Sequence, residues 1–117
     1  MTARDLDDFR ALYERHVSHV TAGDMRAAIA DMVRENLATV FDGVAVPRTA
    51  VEKAEIVGVY ADGETRVGET VYHLTDGVIG LRSMWEQHDD RWLAARLENF
   101  PVPSDAISSP GATGDGA

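Results

Sequence analysis

The chain has no cysteine, which removes disulfide frameworks, thiolate metal sites and cysteine nucleophiles together. It also has no run of about 18 apolar residues, the length a helix needs to cross a bilayer. Positive charge is scarce: 11 Lys and Arg against 20 Asp and Glu leave a formal charge of −9. Phosphate backbones and anionic lipid heads are bound by clustered Lys and Arg, so neither nucleic acid nor a membrane is an expected partner. The opening MTARDLDDF has neither the basic start nor the apolar run of a secretory leader, and a cytoplasmic location is the expectation. Catalytic punctuation is missing too. No Ser-His-Asp order, phosphate-binding glycine loop or nucleotide fingerprint occurs, Gly68 and Gly80 read as isolated strand glycines, and no cofactor is expected. What remains is 117 residues that are 44% hydrophobic and 26% charged, enough for one globular domain with one core.

The hydrophobic period changes once along the chain. Over residues 6–20, Leu6, Phe9, Tyr13, Val17 and Val20 recur at helical spacing, with acidic residues at the start where the helix dipole favours them. Gly23 can take the left-handed conformation that stops this helix, and Asp24 can cap the next. Met25, Ala28, Ile29, Met32 and Val33 then share a face, and Leu37, Val40 and Phe41 continue the spacing to Asp42-Gly43, as one helix or as two. After Pro47 the period falls to two. Four β-prone runs, 51–61, 65–74, 78–88 and 92–100, are separated by Asp62-Gly63, Asp76-Gly77 and Asp89-Asp90-Arg91, which predicts a four-stranded antiparallel meander with type I′ turns at both Asp-Gly pairs. The domain is expected to span 1–102, followed by a disordered Pro, Gly, Ser and Ala tail over 103–117.

Register then assigns faces. Two-residue turns and a three-residue last turn put Val57, Val59, Thr70, Tyr72, Leu74, Ile79, Leu81, Ser83, Trp85, Leu93, Ala95, Leu97 and Asn99 on the face that holds the helices. Ile56, Tyr60, Val67, Glu69, Val71, His73, Arg82, Met84, Glu86, Arg96 and Glu98 fall on the other. Two readings of that outer face compete: a wet surface with cross-strand ion pairs such as Arg82 with Glu69 or Glu98, or half of a sheet-to-sheet homodimer. The exposed aromatic and aliphatic residues among the charges favour the homodimer.

Helices first, a curved antiparallel sheet after, and the stretch RHVSHVTAGDM at the first helix junction resemble the nuclear transport factor two-like superfamily. That group includes ketosteroid isomerase and the SnoaL-like polyketide cyclases. The resemblance covers residues 6–102, and its most specific element is the helix ending in Ala22-Gly23-Asp24 before an apolar-periodic second helix. It implies an α+β fold in which helices pack into a curved four-stranded sheet, a cystatin-like cone with the chemistry inside. It also implies a small apolar ligand that is isomerised, cyclised or dehydrated by acid-base steps. The family's oxyanion-binding tyrosine, late in the first helix, matches His16, and its second donor falls near Ser83. No counterpart of its proton-shuttling aspartate is evident over residues 32–46. The alternative is a non-catalytic homodimeric module whose cone is closed by its own side chains.

Each candidate has two readings. His16 lies on the flank of the helical stripe, either as a pocket group that handles a proton or as a packing histidine with a hydrogen-bond partner. It is the best candidate for catalysis. His19 reads as surface, and a His-x-x-His pair with no further fixed ligand predicts no metal site. Tyr13 is a core aromatic or a donor at its edge. Ser83 interrupts a bulky inward run and leaves a gap with a hydroxyl in mid-sheet. Tyr72 and Thr70 on the next strand, with Asn99 near the chain's last proline-flanked strand end, complete a polar set around that gap, and Trp85 supplies a wall. The expected ligand-binding residues are therefore Tyr13, His16, Tyr72, Ser83, Trp85 and Asn99, unless Asn99 instead ties down the chain before Pro101.

Overall fold

The computed structural model describes residues 3–48 and 50–102; the expected tail, 103–117, lies outside the described residues. Two N-terminal helices, α1 (Ala3–Ala22) and α2 (Met25–Ala30), pack on one antiparallel sheet of β1 (Val51–Asp62), β2 (Thr65–Leu74), β3 (Gly77–His88) and β4 (Arg91–Asn99), in that spatial order. The fold is α+β, and the sheet does not close on itself. No helix among the described residues is long and apolar enough to cross a membrane.

The junction between the helices follows from three residues. Gly23, at φ +79°, lets its own N–H bond to the Val20 carbonyl and the Asp24 N–H to the His19 carbonyl, the paired closure that satisfies orphan carbonyls at a helix end. Asp24 then accepts the Ala27 N–H at 3.1 Å and starts α2. One face of α1, Phe9, Tyr13, Val17 and Val20, is buried against the sheet.

The helical spacing after Met25 does not continue to Phe41. α2 stops at Ala30, Val33 is extended, and the 3₁₀ turn Arg34–Asn36 is followed by separate hydrogen-bonded turns up to Gly43 rather than by a continuous helix. The cause is long-range pairing: Asp31 accepts the Ala94 N–H and Val33 donates to the Ala94 carbonyl, both at 2.8 Å, while Asn36 donates to the Ala95 carbonyl. Backbone bonds to β4 outweigh a local helical preference of a few tenths of a kcal/mol per residue.

Strand order and hairpins follow the pattern, but the turns sit one residue from the Asp-Gly pairs. The first loop is Gly63-Glu64, with Asp62 paired to Thr65, and the second is Thr75-Asp76, with Leu74 paired to Gly77. Only Gly63 has positive φ in these loops, so neither is the expected type I′ turn, which needs it at both central residues. The last loop is the two-residue Asp89-Asp90 rather than three residues, with Asp89 at φ 57°.

Two bulges correct the assigned faces. Between Ile56 and Gly58 the register with β2 slips by one, which turns Ile56 toward the core and leaves Val57 56% exposed. Between Met84 and Trp85 the slip against β4 gives Trp85 to Ala94. Trp92 and Ala94, not Leu93 and Ala95, therefore join the inner face beside Leu97. An extra residue inverts every side chain beyond it, which alternation alone does not reveal.

Candidate functional site

The inner face of the sheet is filled. Phe9 of α1 meets the indoles of Trp85 and Trp92 edge-on, with centroids 5.7 and 5.9 Å apart, the arrangement favoured by aromatic quadrupoles. Tyr13 lies flat over Gly68, where an added Cβ would sit 2.4 Å from its ring. Gly68 pairs with Ser83, so the mid-sheet gap expected at Ser83 exists and Tyr13 occupies it.

The polar set around that gap is closed on itself. Tyr13 Oη and Thr70 Oγ1 are 2.6 Å apart, and the Trp85 indole N–H donates to Ser83 Oγ at 2.8 Å. Tyr13, Thr70, Ser83, Tyr72 and Trp85 are all buried. Burial pushes the Tyr13 phenol up from its ordinary 10.0 to about 12 and raises Tyr72 as well, because desolvation disfavours the phenolate. Asn99 stands apart from this set. Its Oδ1 accepts the Ala45 N–H at 2.8 Å, and its Nδ2 donates to the carbonyls of Ala45 and Gly80. It ties the segment before β1 to the end of β4.

His16 is the candidate that reaches an unfilled space. Its ring stands edge-on to Trp85, centroids 5.1 Å apart, and stacks along Tyr13. Nδ1 lies 3.0 Å from Asp31 Oδ2, with the side chains only 12% and 18% exposed. A carboxylate can only accept, so Nδ1 donates to it and Nε2 is left as an acceptor. Nε2 has no partner among the described residues. His16 lines a cavity of about 40 Å³ whose other walls include Met25, Ile29, Met32, Phe41, Pro47 and Leu97. Asp31 was not legible in the sequence as part of this site: it caps the C-terminal end of α2, and its meeting with His16 on α1 depends on how the two helices pack. No group of three or more His, Asp or Glu among the described residues is arranged to hold a metal.

The outer face carries the ion pairs read from the register, with Arg82 donating from Nε to Glu69 and from Nη1 to Glu98. These two carboxylates raise the guanidinium pKa further. Tyr60 donates to the same Glu69, and His73 bonds Glu55 at 2.9 Å. The chain also folds back over this face: a Cβ on Gly80 would meet Phe100 and Val102, and the Arg82 guanidinium lies over the Phe100 ring.

No protein-family model, no curated protein and no solved structure matches this chain.

Proposed function

We propose that the chain is a cytoplasmic small-molecule-binding domain of the nuclear transport factor two-like type. In this reading His16, set by Asp31, moves a proton on a small apolar ligand held beside α2. The observation that carries the proposal is the His16–Asp31 pair, held at 3.0 Å, in a histidine that lines an apolar cavity and whose Nε2 has no partner among the described residues. A carboxylate on Nδ1 fixes the tautomer and stabilises the imidazolium formed when Nε2 takes a proton, which suits general acid-base work such as isomerisation, cyclisation or dehydration. Ligand entry needs movement: about 40 Å³ holds roughly one water, whereas ligand pockets run to about 300–1,000 Å³. Met25 and Ile29, 40% and 37% exposed, are the walls that can swing outward.

The aromatic filling of the inner face supports a second reading, a non-catalytic homodimeric module that assembles through the outer sheet face near Val57 and Tyr60. One pair of measurements separates the two. The His16 ring signals, assigned with H16Q, are followed by NMR during titration with benzene, 2-naphthol and a steroid, beside sedimentation of the unliganded chain. Saturable shifts at His16 support the first reading. Unmoved His16 signals together with a dimer that V57K/Y60K dissociates support the second and refute the first.

A further inference from the structure

Next to the His16 cavity, sharing Ile29 and Met32 with it, runs a groove of about 530 Å³ lined by Arg26, Arg34 and Arg91, by His88, which bonds Glu86, and by apolar residues that include Leu37 and Leu93. Three of the chain's 11 Lys and Arg meet there with Glu35 as the sole acid in the lining, although the chain carries 20 Asp and Glu. The side chains of Arg26 and Arg34 have no ion-pair or hydrogen-bond partner among the described residues. Among the described residues the Arg91 side chain holds only the Ala30 carbonyl, through a long 3.4 Å contact. Three arginines against one carboxylate, with none of the three ion-paired to it, leave a local excess of positive charge in the groove.

We propose that this groove binds a small monocarboxylate with an apolar chain, its head group on the arginines and its chain on the groove floor. Planar guanidinium forks match a carboxylate two bonds at a time. The Glu35 carboxylate in the same lining opposes a second negative charge, which favours a monoanion over phosphate. The volume falls within the range of about 300–1,000 Å³ usual for small-molecule sites. The groove shares Ile29 and Met32 with the His16 cavity but not His16 itself, so its binding does not rest on the His16 reading.

The test is titration of the full chain with octanoate, octanol and inorganic phosphate at low salt, followed by amide NMR and calorimetry. Octanoate is expected to shift the amides of Ala30, Leu37 and Leu93 saturably. R26Q/R34Q is expected to weaken it by about a hundredfold, roughly tenfold for the charge-assisted bond lost with each arginine, with no change in the urea midpoint. H16Q is expected to bind octanoate as the parent does, which keeps this result separate from the His16 cavity. The proposal is overturned if octanol binds as well as octanoate, if phosphate binds more tightly, if R26Q/R34Q binds unchanged, or if the groove amides stay still.

Discussion

Replacing Gly68 by alanine tests how the inner face is packed. The new Cβ would lie 2.4 Å from Cε1 and Cζ of Tyr13, closer than any carbon contact a folded protein tolerates. The ring cannot give way easily, because Tyr13 is buried and stacked between Phe9 and His16. Overpacking of this kind costs about 1–3 kcal/mol. Any tilt of the ring also breaks its 2.6 Å bond to Thr70, adding about 1–2 kcal/mol for a buried hydrogen bond left unmade. G68A should therefore lose about 3–4 kcal/mol of stability, a fall in Tm of roughly 15 °C for a domain near 100 residues. Urea unfolding followed by tryptophan fluorescence measures it, since both indoles sit in this cluster. A double-mutant cycle with Tyr13→Leu isolates the cause, with G68A costing about 2 kcal/mol less once the ring is gone. A loss below about 1 kcal/mol for G68A, or strict additivity in the cycle, would refute the account of Gly68 as the seat of Tyr13.

Y13F keeps the ring and removes only the hydroxyl, so it should cost about 1–2 kcal/mol and leave the near-UV circular dichroism unchanged. Alkali probes the same group: the phenol is raised from 10.0 to about 12, so the unfolded chain loses its proton first and stability falls between pH 10.0 and about 12. Below pH 10.0 that contribution is fully present, and the urea midpoint of Y13F should decline less steeply over the same window. D31N should release the His16 tautomer, read as a change in the ¹⁵N shifts of both ring nitrogens. Unchanged ring shifts in D31N would show that Asp31 does not set His16.

The sequence is legible where the signal is local. Ala22-Gly23-Asp24 marks the helix junction because one residue must adopt positive φ and the next must accept a backbone N–H, and both roles are tied to residue type. The strands are legible because alternation is a property of each strand alone. Val57 and Ala95 misled because a bulge depends on the partner strand, so Ile56 and Trp92 turn inward without any change in their own pattern. The end of α2 was hidden for the same reason: its competitor, Ala94, lies more than sixty residues along the chain. In the site, His16 and Ser83 stood out as polar interruptions of apolar faces. Asp31 did not, because its partnership with His16 depends on how α1 and α2 pack rather than on spacing within either helix, and Gly68 looks like an ordinary strand glycine until Tyr13 is placed above it.

The three hydrogen bonds of Asn99 fix one side of the cavity beside His16. By gripping both the N–H and the carbonyl of Ala45, its amide acts as a one-residue stand-in for a neighbouring strand, and the adjoining wall at Pro47 inherits the stiffness of β4. The opposite wall is a six-residue helix, too short to persist without its packing. On the proposed reading the Asn99 side is the fixed jamb and α2 the door, so slackening the turn at Gly23 should admit larger guests than cutting the Asn99–Ala45 bonds.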